Sequence, residues 1–204
     1  MSEGIGAPVK RKEDKRFTTG AGRYTDDIRM ENQAYAAFVR SPHAHARVGS
    51  IDTSAAEAMP GVIAVLNGTE LAGDGIGNLI CGWMIHSKDG SPMNMGAWPA
   101  LASEVVRHVG QAVAIVVAET QVQARDAAEN VVVDWQELPA VINAAKALEA
   151  DAPQLHPEAP GNLIYDWEIG ESDATDKAIA EAAHVTTLEI TNNRLVPNPM
   201  EPRS

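Results

Sequence analysis

Residues Glu104–Trp135, EVVRHVGQAVAIVVAETQVQARDAAENVVVDW, decide how the fold is read. Gly110 breaks the chain before Ala112–Ala118, where Val113, Ile115 and Val117 alternate with Ala114, Val116 and Ala118. A run apolar on both faces belongs inside a sheet with something packed on each side. Thr120 stands three residues before Gln123, the spacing at which an N-cap hydroxyl and an N3 amide satisfy each other's free backbone N–H groups. Such a cap contributes about 1 kcal/mol. The helix it starts gathers Ala124, Ala127, Ala128 and Val131 on one stripe and turns Gln123, Arg125, Asp126 and Glu129 to water. A stripe of alanines is thin, so the helix should lie close to the sheet. A second strand then presents Val131, Val133 and Trp135 on one face and ends at Pro139. Each buried aliphatic contributes about 1.5–3 kcal/mol. This unit is a folding nucleus and carries no chemistry of its own.

Upstream, Ala34–Arg40 alternates as a strand with Tyr35, Ala37 and Val39 on one side. Ser41-Pro42 turns the chain into a second short strand at Arg47–Ile51. Ser54 and Glu57 have capping-box spacing for a short helix that Pro60-Gly61 stops, and Val62–Leu66 is the next buried strand. Between Asn67 and Ser103 periodicity disappears into glycines, prolines, Met84, Met93, Met95, Trp83 and Trp98. A connection of this length and composition favours packing against a partner surface or another domain over a mobile excursion. Residues 1–28 show no hydrophobic period and carry Lys10, Arg11, Lys12, Lys15 and Arg16. They read as a solvated arm, or as one laid over another domain or subunit. Downstream, Pro139–Gly161 forms a proline-rich boundary with one short helix. Asn162–Ile169 restarts a strand, Asp176–Ala183 is helical, and Val185–Ile190 is a strand with Thr186, Leu188 and Ile190 aligned. A second domain has begun here without enough residues to close its own core.

The 204 residues suffice for one domain and part of another, with 45% hydrophobic and 22% charged residues, as in an ordinary soluble protein. No apolar run approaches the roughly 18–20 residues of a membrane span, and the polar N-terminus has no signal-peptide core. Cys81, the only cysteine, points to a reducing, cytoplasmic setting and rules out an iron–sulfur cluster held within the chain. A net charge of −12 and 4% aromatic residues exclude nucleic acid as a partner.

Motif by motif, the chemistry is sparse. Gly73-Asp74-Gly75-Ile76-Gly77 follows no clear strand and opens no helix, so it reads as a loop rather than a nucleotide cradle. His43 and His45 lie two apart but have no third ligand nearby, which favours a turn residue and a satisfied core histidine over a metal site. His86, His108, His156 and His184 are isolated and read the same way. Asp26 and Asp27 read as backbone caps rather than an acid/base pair. No catalytic, cofactor-binding or metal-binding residue emerges from spacing alone.

The order of several blocks adds to this. Gly6-Ala7-Pro8, the run Arg11, Glu13, Asp14, Arg16, Thr19, Gly20, Gly22, Tyr24, Asp26, Asp27 and Ile28, and Ser41-Pro42-His43-Ala44-His45-Ala46 come first. Pro60-Gly61-Val62, Val109-Gly110-Gln111-Ala112-Val113-Ala114 and Ala124-Arg125-Asp126-Ala127-Ala128-Glu129 follow. In this order the sequence resembles the large, molybdopterin-binding subunit of the xanthine dehydrogenase / aldehyde oxidase / aerobic carbon monoxide dehydrogenase family, N-terminal part only. The resemblance implies an α+β fold: an α/β hammerhead domain followed by the truncated start of a molybdopterin-binding domain. The divisions are an arm at 1–28, the hammerhead at 29–140, a linker at 141–161 and the incomplete second domain at 162–204.

The resemblance also implies an oxidoreductase that hydroxylates a small substrate with water-derived oxygen, using molybdopterin cytosine dinucleotide with molybdenum in the complete subunit. Its partners would be the remainder of the large subunit, an iron–sulfur subunit and a flavin subunit. Asn198-Pro199-Met200-Glu201 is similar to the family segment that carries a substrate-pocket glutamate, so Glu201 takes that role, with an ordinary loop acid as the alternative. The family's glycine-rich pterin contacts and its catalytic base lie far downstream in a much longer subunit. The chain is therefore expected to bind no cofactor by itself and to be inactive alone. The competing reading is a free-standing interaction or scaffold module descended from that subunit.

Overall fold

Two three-stranded antiparallel sheets organise the larger part of the fold in the computed structural model, which describes residues 4–192 and Leu195. The chain forms two units, Met1–Gln33 with His184–Ser204, and Ala34–Ala183.

In the first unit, helix α1 (Asp14–Thr18) is fully solvated apart from half-buried Asp14 and Phe17. Arg11 Nε donates to Asp14 Oδ1 at 2.8 Å. Phe17 stacks on Tyr24 with ring centroids 5.6 Å apart. Asp27 accepts from the Tyr24 backbone N–H at 2.9 Å, so this carboxylate caps backbone as its turn setting implies. Val185–Ile190 is not a strand: it has no ladder partner among the described residues, and Leu188 and Ile190 are exposed. Alternation marks which residues share a face, but a strand also needs a neighbour to bond to.

The second unit holds β1 (Tyr35–Arg40), β2 (Ala46–Asp52), α2 (Ser54–Glu57), β3 (Val62–Asn67), α3 (Gly68–Gly73), β4 (Val105–Val106), β5 (Ala112–Ala118), α4 (Gln121–Ala128), β6 (Val132–Glu137) and α5 (Ser172–Glu181). One sheet runs β1-β5-β3 and the other β4-β2-β6. The doubly apolar β5 is the central strand, with Phe38 opposite Ile115 on one side and Val65 opposite Val116 on the other. Its Ala114 and Val116 pack with Ala56, Val65, Ala127 and Val131, the cluster closed by the alanine stripe of α4. On the opposite face Val113 joins Ala46, Ala102 and Val106 of the second sheet region, while Ile115 and Val117 stay only half-buried. The strand, helix and strand of 104–135 are therefore present, but β6 crosses to the second sheet, where Val48 faces Trp135 and Ile51 faces Val133.

Local chemistry departs from the sequence reading in four places. The Thr120 hydroxyl caps the Gln123 N–H at 3.2 Å, yet the Gln123 side chain accepts from that hydroxyl instead of reaching the Thr120 backbone. Gln123 is half-buried because it lies over Gly61, whose φ of +81° and lack of a Cβ let the turn pass beneath the amide. In α2 the turn is set by Asp52, which accepts from the N–H and the hydroxyl of Ser54, and Thr53 Oγ1 bonds to Glu57. Ser54 is thus the first helical residue rather than the cap. Helix α3, unforeseen in the aperiodic run, starts with a reciprocal box. Asn67 Oδ1 accepts from the N–H groups of Thr69 and Glu70, and Glu70 Oε2 accepts from the Asn67 N–H at 2.8 Å. The 73–77 glycine run then closes a helix, which makes it a loop.

Asn162–Ile169 is extended but is no strand, because it bonds to an irregular loop and not to a ladder. Helix α5 begins at Ser172, ahead of the expected Asp176. The proline-rich boundary is tied by two amides. Asn162 Nδ2 donates to the carbonyls of Ala147 and Pro153, each at 2.9 Å, and Gln154 Nε2 donates to Ala159 O at 2.7 Å. Asn162 holds a left-handed φ of 58°, a conformation its short polar side chain tolerates. Among the described residues no helix is long and apolar enough to cross a membrane.

Candidate functional site

The Ser41-Pro42 turn places both upstream histidines against the end of β6. Ser41 is buried and its hydroxyl bonds locally, accepting from the His43 N–H and facing the His43 carbonyl, both at 3.0 Å. His43 Nδ1 lies 2.9 Å from Glu137 Oε1, and its ring sits 5.6 Å from that of Trp135. His45 is buried, and its Nδ1 donates to the Pro139 carbonyl at 2.6 Å. The two rings are thus spent on separate partners, the turn and core roles their spacing favours. Among the described residues no group of three His, Cys, Asp or Glu side chains stands close enough to hold a metal ion.

The long connection and the residues around His156 enclose an apolar space. Leu79 N–H bonds to Trp98 O at 2.8 Å and Met93 N–H to Ile85 O at 2.9 Å, so the loop folds back on itself. Asn94 ties it to the extended run, its backbone N–H donating to Ile164 O at 2.7 Å and its Nδ2 to Leu163 O at 3.0 Å. Between them opens a cavity of about 460 Å³ lined mainly by Leu79, Ile80, Met93, Met95, Trp98 and Ile164, with Cys81 and His156 on its wall.

His156 is where the sequence reading fails. Its Nδ1 is buried and has no hydrogen-bond partner among the described residues. The ring is packed directly on Gly96, where a Cβ would overlap the imidazole. Burial, and then the nearby Arg107 guanidinium and His45, push the His156 pKa below its ordinary value, so the ring is held neutral. An isolated histidine between prolines gives no hint of this; the only sequence signal is a glycine in a Met- and Trp-rich loop. A second cavity of about 470 Å³ lies beside α3, with Arg107, Glu104 and Glu158 on its wall. Arg107 Nε is already donated to Leu155 O at 2.7 Å. Glu201, the expected substrate contact, lies outside the described residues.

A mixed sheet-and-helix unit whose central strand and capping helix fall in this order defines a class. Residues 19–139 match the family described as aldehyde oxidase and xanthine dehydrogenase, a/b hammerhead domain, and the chain belongs to that family. It is 38% identical to the carbon monoxide dehydrogenase large chain of Afipia carboxidovorans, an alignment covering 98% of this chain and 25% of that one. Identity to the nicotine 6-hydroxylase large subunit of Paenarthrobacter nicotinovorans is 35%, over 98% of this chain and 23% of the relative. The crystal structure of the Cu,Mo-CO dehydrogenase in its carbon monoxide reduced state superposes with a TM-score of 0.66 at 38% identity, covering 89% of this chain and 23% of that one. The chain therefore spans about a quarter of the length of the relatives it matches, corresponding to the N-terminal part of molybdenum hydroxylase large subunits.

The family's cofactor is a molybdopterin. A phosphate-bearing pterin needs clustered backbone N–H groups or free cations around its phosphate. The apolar cavity offers a neutral imidazole and thioethers, and the second cavity opposes its engaged arginine with two carboxylates. The described residues do not fit that group, and no reaction step is assigned to them.

Proposed function

We propose that this chain is the N-terminal portion of a molybdenum hydroxylase large subunit of the carbon monoxide dehydrogenase type, supplying the hammerhead domain and a docking surface. The observation that carries this reading is the family match over residues 19–139, joined to alignments that take in 98% of this chain but 25% of the first relative. The divisions are the arm at 1–28, the hammerhead at 29–140, the linker at 141–161 and the opening of a molybdopterin-binding domain from 162. In the complete assembly a molybdopterin cytosine dinucleotide with molybdenum supplies the redox chemistry that hydroxylates a small substrate with oxygen from water. Electrons leave through an iron–sulfur and a flavin subunit, and Glu201 contributes a substrate-orienting carboxylate. The chain alone does not turn over. The single cysteine supports assembly in the cytoplasm.

The test is reconstitution. The chain is co-expressed with the rest of the Afipia carboxidovorans large chain and its companion subunits, and reduction of a dye by carbon monoxide is assayed. Activity that requires every component supports the reading, and Glu201→Gln lowers it. Failure of the chain to associate with any of them contradicts it.

A further inference from the structure

We propose that Asn67-Gly68 is a self-deamidation site, held in check by the capping box of α3, where the asparagine ages to aspartate and isoaspartate. The modification is independent of the function proposed above.

Asn67 is the one asparagine of the sequence followed by glycine. With no side chain on the next residue, the backbone nitrogen meets the least obstruction in reaching the asparagine Cγ. Gly68 is the first residue of α3, so its N–H is one that a helix leaves without an intrahelical acceptor. Asn67 is half-buried and its neighbours Thr69 and Glu70 are exposed, which lets water and base reach the dipeptide. The reaction needs nothing else. The Gly68 nitrogen loses its proton and attacks Asn67 Cγ, the carboxamide nitrogen leaves as ammonia, and a five-membered imide closes. Water then opens one of the two imide carbonyls, giving aspartate or isoaspartate.

The labile dipeptide is fixed by packing. A Cβ on Gly68 would lie 2.6 Å from Leu101 O and 2.8 Å from the Ala102 carbonyl carbon, backbone atoms that cannot swing aside. The fold also holds the reaction back. The Asn67 ψ of 174° keeps the Gly68 nitrogen staggered from Cβ, whereas ring closure needs the two nearly eclipsed. That torsion is pinned from both sides. Asn67 Oδ1 accepts from the N–H groups of Thr69 and Glu70 at 2.9 and 3.1 Å, and Glu70 Oε2 accepts from the Asn67 N–H at 2.8 Å. Attack therefore waits until the first turn of α3 frays.

The two products differ in what they leave behind. Aspartate keeps an oxygen for the same N–H groups and places its charge at a helix start, where it is favourable. Isoaspartate adds a methylene to the main chain and moves its carboxylate out of capping position. The helix then loses its cap, and with it the hold on Gly68, Leu71 and Ala72 in the wall of the second cavity.

The test ages the chain at mildly alkaline pH, in native buffer and in guanidinium chloride, and follows each asparagine by peptide mass mapping. Isoaspartate is counted with an isoaspartate-specific carboxyl methyltransferase. In denaturant Asn67 should convert ahead of Asn78, Asn94, Asn130 and Asn143, each followed by a residue with a side chain. It should convert more slowly in native buffer. Glu70→Ala should speed native conversion about fivefold, as loss of a capping contact raises the frayed population, and leave the denatured rate unchanged. The Thr69 and Glu70 amides should lose hydrogen-exchange protection in the isoaspartate form and keep it in Asn67→Asp. Conversion in denaturant no faster at Asn67 than at the other asparagines overturns the site. Equal rates for the unaltered chain in buffer and denaturant, or native conversion in Glu70→Ala that is equal or slower, overturn the gate.

Discussion

His45 Nδ1 donates a 2.6 Å hydrogen bond to the carbonyl of Pro139, and the backbone closes the same contact as Leu138 N–H bonds to His45 O at 3.0 Å. The turn before β2 is thereby fastened to the end of β6. His45→Ala removes the donor to the Pro139 carbonyl, which solvent can reach, so the loss is that of one hydrogen bond, about 1 kcal/mol. Urea unfolding followed by Trp fluorescence should show a lower midpoint with an unchanged slope. An unmoved midpoint would mean that water replaces the ring at no cost.

Thr120→Ala removes the side-chain acceptor at the start of α4, where Gln123 N–H bonds to the hydroxyl at 3.2 Å. The expected cost is about 1 kcal/mol, and Thr120→Ser should recover most of it. Equal destabilisation by Ser and Ala would trace the effect to the lost methyl group, not the cap.

These two sites also show what the residue pattern conveys and where it stops. Val113, Ala114 and Val116 announce a strand buried on both faces, and Ala124, Ala127 and Val131 announce a helix pressed against it, because burial is written into spacing. The assignment of β6 to a different sheet from β5 is not written there, since a strand's partner depends on residues far off in the chain. Asn67 and Glu70 did carry a capping signature, hidden by the glycines that follow them. In Asn162–Ile169 the alternation is real but its backbone meets an irregular loop, so the pattern overstates the structure. The cavity was foreshadowed only in outline, by Met and Trp in an aperiodic run. The packing of Gly96 on His156 joins positions sixty apart, and nothing local encodes it.

That contact gives a third test. Gly96→Ala places a methyl group into the imidazole and should destabilise the loop by about 1–3 kcal/mol, the usual cost of overpacking. His156→Ala in the same chain vacates the space, so the double variant should be more stable than the sum of the two single changes implies. Strict additivity would show that the loop moves aside.

The pH dependence of stability follows from the same ring. Burial, then Arg107, then His45 lower the His156 pKa below 6.5 in the folded state. Between that lowered value and the unfolded one near 6.5, the unfolded chain binds the extra proton, so stability is lost as pH falls through this window and is retained above it. Urea midpoints measured from about pH 7.5 down to about pH 5 should decline less steeply in His156→Asn than in the unaltered chain. Parallel declines would assign the acid sensitivity to other groups.

In the function proposed for this chain, it supplies a hammerhead and a docking surface while the rest of a large subunit builds the molybdenum site. Elemental analysis tests this most directly, comparing the purified chain alone with the chain co-purified with the rest of a large subunit and its partners. The account predicts a negligible molybdenum content for the chain by itself and about one molybdenum per large subunit in the assembled complex. Stoichiometric molybdenum on the lone chain would contradict it.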